Sequence, residues 1–397
     1  MEDFSELYYR TPYVRAFDAT VTGCAPTKGG YEVTLSETAF YPEGGGQPGD
    51  RGTLAVGAGD EQAVVRVLDT TRREDVVRHL CDAPLPVGAT AHGELDWTWR
   101  RDTMEAHTGE HVVSGIVHAR FGYDNVGFHM GESCIEVDFS GPIDDEQALE
   151  VERAANDAIR ADLPVRALLP TPDELAAMTY RSKKELDGVV RIVSIPGIDA
   201  CACCGVHVQT TGQVGLVKVV GATTKKKGTR LELLCGRRAL LAFEAEMAQV
   251  RGISTLLSAK PHEVLDAVRR LDDEKAELAR QLKAANRRCI DLEVAALPSA
   301  QEPLVRFAEQ RDIDELRYFC NQALEAHRAP TVAALSATAD GEAVSYVIAS
   351  AAADLRPIVK RLNADLAGRG GGRPEMVQGS FRAPRAQVEA ALREQLA

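Results

Sequence analysis

Two pairs of side chains, each with a spacing of four residues, constrain the fold of this chain most. His107 and His111 lie in WTWRRDTMEAHTGEHVVSGIVHARFG, whose periodicity predicts a helix, so both imidazoles project from one helix face. Cys203 and His207 repeat the spacing in ACACCGVHV, beside a glycine turn. One thiolate and three imidazoles fill the tetrahedral shell that zinc prefers, or leave one position for water if a ligand stays loose. A Zn²⁺ site at these residues requires the fold to bring two distant segments together, and ordinary residues on an amphipathic helix are the alternative interpretation of the histidine pair.

The cysteines leave the choice of thiolate open and do not predict a framework of disulfides. Cys201 and Cys204 are rivals of Cys203, which we choose because its spacing to His207 matches the spacing of the histidine pair. Six further cysteines are scattered singly, and the three in ACACC are bunched too tightly for a framework of bridges, so these three are expected to be reduced thiols. The start MEDFSELYYR lacks the basic and apolar regions of a signal peptide, and no long apolar run predicts a membrane span. We expect a cytoplasmic protein.

Short strands and helices in succession predict an α+β multidomain chain. Residues 1–95 alternate β-type runs with glycine and proline, which is typical of a small β-barrel. Residues 96–238 mix helices and strands into an α+β domain that contains both side-chain pairs. Residues 239–295 are predicted to form a helical hairpin or coiled coil. Residues 296–397 are predicted to form a C-terminal α/β domain. A heptad in the second helix predicts packing of the helices against each other or against a second subunit, and its positions are Val264, Val268, Leu271, Lys275, Leu278, Leu282, Ala285, Cys289 and Leu292.

Two glycine triplets allow a backbone to approach a ligand closely or to adopt positive φ. The first lies in FYPEGGGQPGDRG, where the neighbouring Gln47 both donates and accepts hydrogen bonds. It lacks the lysine and hydroxyl residue of a Walker loop, and a tight barrel turn is its structural alternative. The second lies in GRGGGRPEMVQGS, where Arg369 and Arg373 can present guanidinium groups to phosphate. A flexible solvated loop is the alternative there.

The distribution of charge favours selective contact with nucleic acid over general affinity for phosphate. A net charge of −13 repels a polyanion. Two local stretches are nevertheless basic, one around Lys225, Lys226 and Lys227 and the other around Arg369 and Arg373. Such stretches on an acidic chain are what a selective nucleic-acid binder presents, although solvated loops and helix faces explain either one alone.

The order of motifs resembles a known family. FYPEGGGQPGDRG, HTGEH, CCGVH, a helical hairpin and GRGGGRPEMVQ follow one another as in the editing half of alanyl-tRNA synthetase, and the chain is most similar to the free-standing alanyl-tRNA editing proteins of the long AlaX type. The resemblance spans nearly the whole chain, including TPYVRAFDATV near the start. It implies hydrolysis of the ester of a wrong amino acid, chiefly serine and sometimes glycine, on tRNA(Ala). Because the barrel starts almost at Met1, with no preceding synthetase core, we expect deacylation without tRNA charging.

The resemblance also assigns roles to residues. His107, His111, Cys203 and His207 match the zinc ligands of the family and are the expected catalytic site. Thr38, just before the FYP turn, is expected to meet the serine hydroxyl, and Gln47 and His129 are further candidates for contact with the substrate. Lys225, Lys226 and Lys227 beside the editing domain, 96–238, and Arg369 and Arg373 in the C-terminal domain, 296–397, are expected to contact tRNA. The last domain or the helices are expected to form a homodimer.

Two departures from the family pattern, and a second interpretation of the histidine motif, keep two other functions open. CCGVH stands where the family has CGGTH, so Cys204 replaces a glycine and Val206 a threonine, which changes the expected pocket wall but not the ligands. Zinc would hold either the aminoacyl amine or the attacking water, and both roles stay open. HTGEH also fits the H-x-x-E-H pattern of inverzincin metallopeptidases, with Glu110 as general base. A non-catalytic tRNA-binding accessory protein is the third interpretation.

Overall fold

The computed structural model describes residues 6–59, 62–131, 133–182, 189–338 and 343–396. The chain forms two compact units, Met1–Arg251 and Gly252–Ala397. The finer division into four domains predicted from the sequence stays a prediction. All nine cysteines are free, and no helix in the described part of the chain is long and apolar enough to cross a membrane.

The first unit begins with a closed barrel of six strands, which confirms the predicted β-barrel. Around the barrel the strand order is β1-β2-β5-β4-β3-β6. Alternation along β1 turns Phe17, Ala19 and Val21 into the interior, as expected for a strand with one face in a core. A short helix α1 precedes the barrel, and the bounds of these elements are α1 Leu7–Arg10, β1 Ala16–Thr27, β2 Gly30–Leu35, β3 Gly52–Val56, β4 Ala63–Arg73, β5 Val76–Cys81 and β6 Thr90–Leu95.

A long helix, α2 (Trp97–Phe121), follows the barrel and forms the centre of the unit. The Asp96 side chain accepts from the Trp99 N–H at its start, and Gly122 in the left-handed region ends it. Sheets β12-β13-β8-β7 and β11-β10-β9 contact α2. The elements after α2 are β7 Asn125–Met130, β8 Ile135–Phe139, α3 Asp145–Arg160, β9 Arg166–Leu168, α4 Pro172–Ala177, β10 Ile192–Ile195, β11 Asp199–Ala202, β12 Val217–Lys225 and β13 Gly228–Cys235.

A buried ion pair joins α2 to the barrel. The Arg100 guanidinium contacts the Asp50 carboxylate, and the two side chains are 0% and 1% exposed. Arg100 also donates to the backbone carbonyls of Pro12 and Ala39, at 3.0 and 2.6 Å. Asp50 accepts from the Tyr41 N–H at 2.6 Å. The glycine-rich segment between Tyr41 and Asp50 is therefore held at both ends, next to the first turns of α2.

Two helices follow, α5 (Gly236–Leu256) and α6 (Val264–Ala296), and the apolar seam of α6 is open. Leu271, Leu278 and Leu282 are exposed by 52%, 64% and 62%. These leucines are exposed among the described residues, and the packing of the helices against each other or against a second subunit stays a prediction.

The second unit contains α6 and a five-stranded sheet in the order β14-β15-β16-β18-β17. Only β14 and β15 pair in parallel, and the other neighbours are antiparallel. Arg369–Arg373, considered above as a flexible loop, is instead strand β17, so that interpretation is wrong. The elements are β14 Leu304–Ala308, α7 Ile313–Glu325, β15 Thr331–Ala337, β16 Val344–Ser350, α8 Arg356–Asp365, β17 Arg369–Arg373, β18 Met376–Phe381 and α9 Arg385–Leu396.

The buried ion pair leads to a stability prediction. Arg100→Met leaves Asp50 buried without its cation, so we expect the free energy of unfolding to fall by roughly 3–5 kcal/mol. The two tryptophans of the chain, Trp97 and Trp99, lie beside Arg100, so tryptophan fluorescence during urea unfolding reports on this region.

The matched control is Arg66→Ala, which removes an ion pair with Asp82 whose arginine side chain is 72% exposed. That change should cost at most about 1 kcal/mol. Equal effects of the two substitutions would contradict the importance of the buried pair.

Candidate metal centre

Four side chains from two distant segments meet in the first unit. The ligand atoms of His107, His111, Cys203 and His207 all lie within 4.8 Å of one another. Cys203 Sγ is 3.4 Å from His107 Nε2 and 3.4 Å from His207 Nε2. The three imidazoles are buried, with 2%, 2% and 7% exposure. The structure therefore brings together the four residues that the sequence predicts as one site.

Local structure explains how each segment presents its pair. Within α2 the spacing of four residues places His107 and His111 on the same face. Cys203 and His207 lie in the turn after β11, where the backbone crosses α2 at close range. A Cβ on Gly205 would lie 2.0 Å from His107 Cε1, so a side chain there would displace the imidazole. The glycine of CCGVH is thus required by the approach of the turn to the helix.

The structure distinguishes the three neighbouring thiols. Burial opposes ionisation of Cys203, but the neighbouring imidazoles outweigh it and hold the pKa of this thiol well below its usual range. Burial raises the pKa of Cys201 and of Cys204. Cys201 lies instead in a second group with His111 and Asp199, and Cys204 is exposed. Of the three thiols, Cys203 is the one that touches the imidazoles of His107 and His207.

Each imidazole also has a partner on its other ring nitrogen. Gln47 Oε1 lies 2.8 Å from His107 Nδ1. Asp199 Oδ2 lies 2.9 Å from His111 Nδ1. Thr108 Oγ1 lies 3.1 Å from His207 Nδ1. These contacts occupy Nδ1 of every ring and leave the three Nε2 atoms for a shared ligand, the arrangement that metal-binding histidines commonly have.

The electrostatics of the cluster favour a bound cation. Burial lowers the pKa of His207 to about 3, which keeps that imidazole neutral. Burial also acts to lower the pKa of His111, but Cys203 and Asp199 outweigh it and raise that pKa well above the usual value. Negative charge that stabilises a proton on His111 stabilises a metal ion in the same place. Arg181 holds Asp199 with two hydrogen bonds of 2.7 and 2.9 Å, which fixes the carboxylate.

The three predicted substrate contacts are in different environments. Gln47 is fully buried and touches His107, so the structure brings it to the cluster. Thr38 lies in the barrel, where its hydroxyl is 2.9 Å from His79 Nε2 and accepts from the Phe40 N–H at 3.1 Å. Since His79 Nδ1 is 2.9 Å from the Val33 carbonyl and must donate to it, the Thr38 hydroxyl donates to His79. The contact of Thr38 with a substrate stays a prediction.

His129 is exposed on β7 and is not brought to the cluster by any contact among the described residues. The preceding residue, Phe128, has its ring 5.1 Å from the His107 ring. Successive side chains of a strand point to opposite faces, so His129 points away from the imidazoles. Its role in substrate binding also stays a prediction.

The predicted tRNA contacts are exposed residues at the edges of sheets. Lys225 ends β12, and Lys226 and Lys227 form the turn to β13. In the second unit, Arg369 and Arg373 begin and end β17. All five side chains are exposed, as contact with phosphate requires.

Glu110, the general base of the peptidase interpretation, is buried between other side chains. Its carboxylate accepts from the Ser114 hydroxyl at 2.5 Å and from the Asn125 amide. These contacts hold the Glu110 carboxylate between α2 and β7.

Sequence reasoning missed Asp199 and Phe128 at this site. Asp199 is an acid in a short strand otherwise made of small or apolar residues, DACA, and a buried carboxylate requires a partner. That signal was present four residues before Cys203. Nothing in the sequence indicates that Phe128 lies at the site, because aromatic residues are common in strands and usually pack in the core.

Two segments of the chain match families of tRNA synthetases. Residues 190–232 match the family described as the threonyl and alanyl tRNA synthetase second additional domain. Residues 16–99 match the family described as tRNA synthetases class II (A).

Curated relatives identify the family. The chain is 31% identical to alanyl-tRNA editing protein AlaX-L of Pyrococcus horikoshii over 70% of each chain. It is 31% identical to alanyl-tRNA editing protein Aarsd1 of Mus musculus over 67% of each chain. A match to alanine–tRNA ligase of Pyrobaculum neutrophilum is 30% identical and covers 99% of this chain but 44% of the ligase. The chain belongs to the family of alanyl-tRNA editing proteins.

The three adjacent cysteines provide a metal-binding test. Cys203→Ser removes the thiol that contacts the imidazoles, and we expect the affinity for Zn²⁺ to fall at least about 100-fold, more than the loss of an outer partner. Cys204→Ser is the matched control and should leave the affinity unchanged, because that side chain is exposed. Competition with a chromophoric chelator measures both. Equal losses in the two variants would contradict the assignment of Cys203.

Proposed function

We propose that this chain hydrolyses the ester of mischarged tRNA(Ala), with serine and also glycine as the wrong amino acids. The observation that carries the proposal is the buried meeting of His107, His111, Cys203 and His207 in a chain from a family whose curated members are named alanyl-tRNA editing proteins. In this proposal the enzyme is an aminoacyl-tRNA deacylase that acts in trans on tRNA charged elsewhere. The cytoplasmic location stays a prediction.

The proposed metal is Zn²⁺, because the donor set suits it. One sulfur and three nitrogen ligands are typical of zinc, whereas magnesium and calcium prefer oxygen. The Nδ1 partners described above support this choice, since they direct a lone pair of each ring towards Cys203. When bound, zinc supplies a Lewis acid next to the ester carbonyl.

The chain's own residues would bind and orient the acylated end of the tRNA. The Gln47 Nε2 group is buried and has no hydrogen-bond partner among the described residues, which supports donation to a substrate oxygen. In this proposal Thr38 and His129 contact the amino acid as well. Selection against alanine follows where a polar group pairs with the serine hydroxyl, because alanine leaves that group unpaired.

The two departures from the family motif, Val206 and Cys204, lie outside the four residues of the cluster. Val206 is 0% exposed and packs in the core of the unit, while its N–H donates to Gln47. Cys204 directs its backbone carbonyl to the Tyr9 hydroxyl at 2.5 Å. We therefore prefer an active deacylase to an accessory protein without catalysis. The contacts of Glu110 with Ser114 and Asn125 give the peptidase interpretation no support.

An ester assay tests the proposed activity. The protein should release serine from seryl-tRNA(Ala), and glycine from glycyl-tRNA(Ala), while alanyl-tRNA(Ala) survives. Treatment with a chelator, or the substitution His107→Ala, should lower the rate at least about 100-fold, because the Lewis acid contributes several kcal/mol to transition-state stabilisation. His92→Ala, an exposed barrel histidine paired with Asp18, is the matched control.

Each alternative has its own outcome in that assay. Peptide cleavage with all esters intact would establish the peptidase. Zinc binding with every ester intact would establish the accessory protein.

The second part of the proposal is tRNA binding by exposed basic residues. Arg369 and Arg373 have no acidic partner among the described residues, which supports a role at phosphate. Lys225, Lys226 and Lys227 are proposed to contact the same tRNA.

Salt dependence tests this part. Arg369→Ala with Arg373→Ala should weaken tRNA binding and lower the slope of log affinity against log salt by about one for each phosphate that the protein no longer neutralises. Arg160→Ala, an exposed arginine already paired with Asp157, should leave the slope unchanged. Filter binding at several salt concentrations measures the slope, and identical slopes in all variants would refute the proposed phosphate contact.

A homodimer is the proposed assembly. The exposed leucines of α6, Leu271, Leu278 and Leu282, support pairing through the heptad with a second copy.

A further inference from the structure

Gln47 reaches the cluster from the barrel and contacts both ligand-bearing segments. Its Oε1 atom lies 2.8 Å from His107 Nδ1 on α2. The same oxygen accepts from the Val206 N–H at 3.1 Å, in the turn between Cys203 and His207. The residue is 0% exposed. One amide oxygen thus bridges the two halves of the cluster.

These contacts fix the orientation of the amide and the tautomer of the imidazole. A backbone N–H can only donate, so the atom that faces Val206 must be the oxygen and not the NH₂ group of Gln47. The same oxygen can then only accept from His107, which places the proton on Nδ1. In the neutral imidazole His107 Nε2 then carries the lone pair, and it is this nitrogen that lies 3.4 Å from Cys203 Sγ.

The loop that carries Gln47 is built to hold this position. Gly44 and Gln47 exchange backbone hydrogen bonds of 3.0 Å in a tight turn. Gly45 and Gly46 adopt φ values of +59° and +86°, and a Cβ on Gly46 would lie 2.4 Å from the Phe128 ring. The glycines therefore let the turn enter the space beside His107, where side chains would strain the backbone or clash.

The ends of the loop are attached to the helix that carries the ligand. Asp50 at one end is held by Arg100, which precedes His107 by seven residues, or two helical turns, on α2. Tyr41 at the other end donates its N–H to Asp50 and its hydroxyl to the Gly44 carbonyl, at 2.6 and 3.0 Å. The distance from the loop to His107 is thereby set by contacts on α2 itself.

We propose that Gln47 is a positioning residue of the metal centre: its side-chain oxygen holds His107 in the tautomer and orientation that present Nε2 to the ion. This inference rests on the metal centre in the proposed function and adds the barrel to that centre. The buried Gln47 Nε2 group remains available for the substrate, so the two ends of one amide serve two purposes. A residue that acted on substrate alone would leave metal affinity unchanged when replaced.

The test separates the oxygen of Gln47 from its NH₂ group. Gln47→Leu removes both, whereas Gln47→Glu keeps an acceptor for His107 and Val206 but loses the donor. We expect Gln47→Leu to weaken Zn²⁺ binding about 10- to 100-fold, the usual effect of losing an outer partner of a ligand. Gln47→Glu should bind Zn²⁺ at least as tightly as the unaltered protein and hydrolyse seryl-tRNA(Ala) more slowly. Competition with a chromophoric chelator gives the affinities, and the visible spectrum of bound Co²⁺ should shift in the leucine variant alone.

Controls distinguish the failure of this inference from failure of the metal centre. Gln62→Leu, the same change at an exposed position of the barrel unit, should leave metal affinity and the Co²⁺ spectrum unchanged. Unaltered affinity in Gln47→Leu, or equal losses in the leucine and glutamate variants, would overturn the positioning role. If the unaltered protein binds no Zn²⁺, the metal centre itself is overturned. Should Gln47→Leu not fold, Gln47→Asn, whose shorter side chain withdraws the acceptor, decides in its place by the same two measurements.

Discussion

The burial of polar side chains on α2 is the constraint on which the first unit depends. Every position of this helix from Asp102 to Val117 is buried, although a helix of this composition would ordinarily expose half of its surface. A buried polar group without a partner costs free energy, so each side chain must find one in another element or on its own helix. The partners are Asp50 for Arg100, Arg237 for Asp102, Gln47 for His107, His207 for Thr108, Asn125 for Glu110 and Asp199 for His111. These contacts tie the barrel, two sheets and the CCGVH turn to one helix.

The sequence predicted the parts of this arrangement that depend on spacing. Two pairs at a spacing of four residues were enough to expect the cluster, and glycine and proline between β-type runs were enough to expect the barrel. Gln47 was predicted to face the substrate, because a glutamine beside a glycine triplet carries no sign that its oxygen turns to a histidine of another domain. The hydrogen bond to His107 depends on tertiary approach, which periodicity does not encode.

Two further segments show the same limit of local sequence patterns. GRGGGR was compatible with a loop because glycine is disfavoured in strands. Strand β18 nevertheless pairs with this segment along its whole length, and the segment forms strand β17. The α6 heptad predicts an apolar face, but a heptad does not encode whether the partner is the next helix of the same chain or another molecule. In both cases the local pattern indicates the residue types but does not specify which element or molecule packs beside them.

The source of the hydrogen-bond partner of His107 explains why the barrel and the ligand-bearing segments form one centre. On α2 the positions one turn away from His107 are Thr103 and His111, and the Thr103 hydroxyl donates to the Arg100 carbonyl, while His111 faces the same cluster. Among the described residues, the hydrogen-bond partner of His107 Nδ1 is Gln47 and neither of these two side chains. His111 and His207 obtain their partners from Asp199 and Thr108 within the ligand-bearing segment, whereas His107 obtains its partner from the barrel. A fragment that begins after the barrel would keep all four ligands and lack the oxygen that directs one of them, and its affinity for the metal would differ from that of the whole chain for this reason alone.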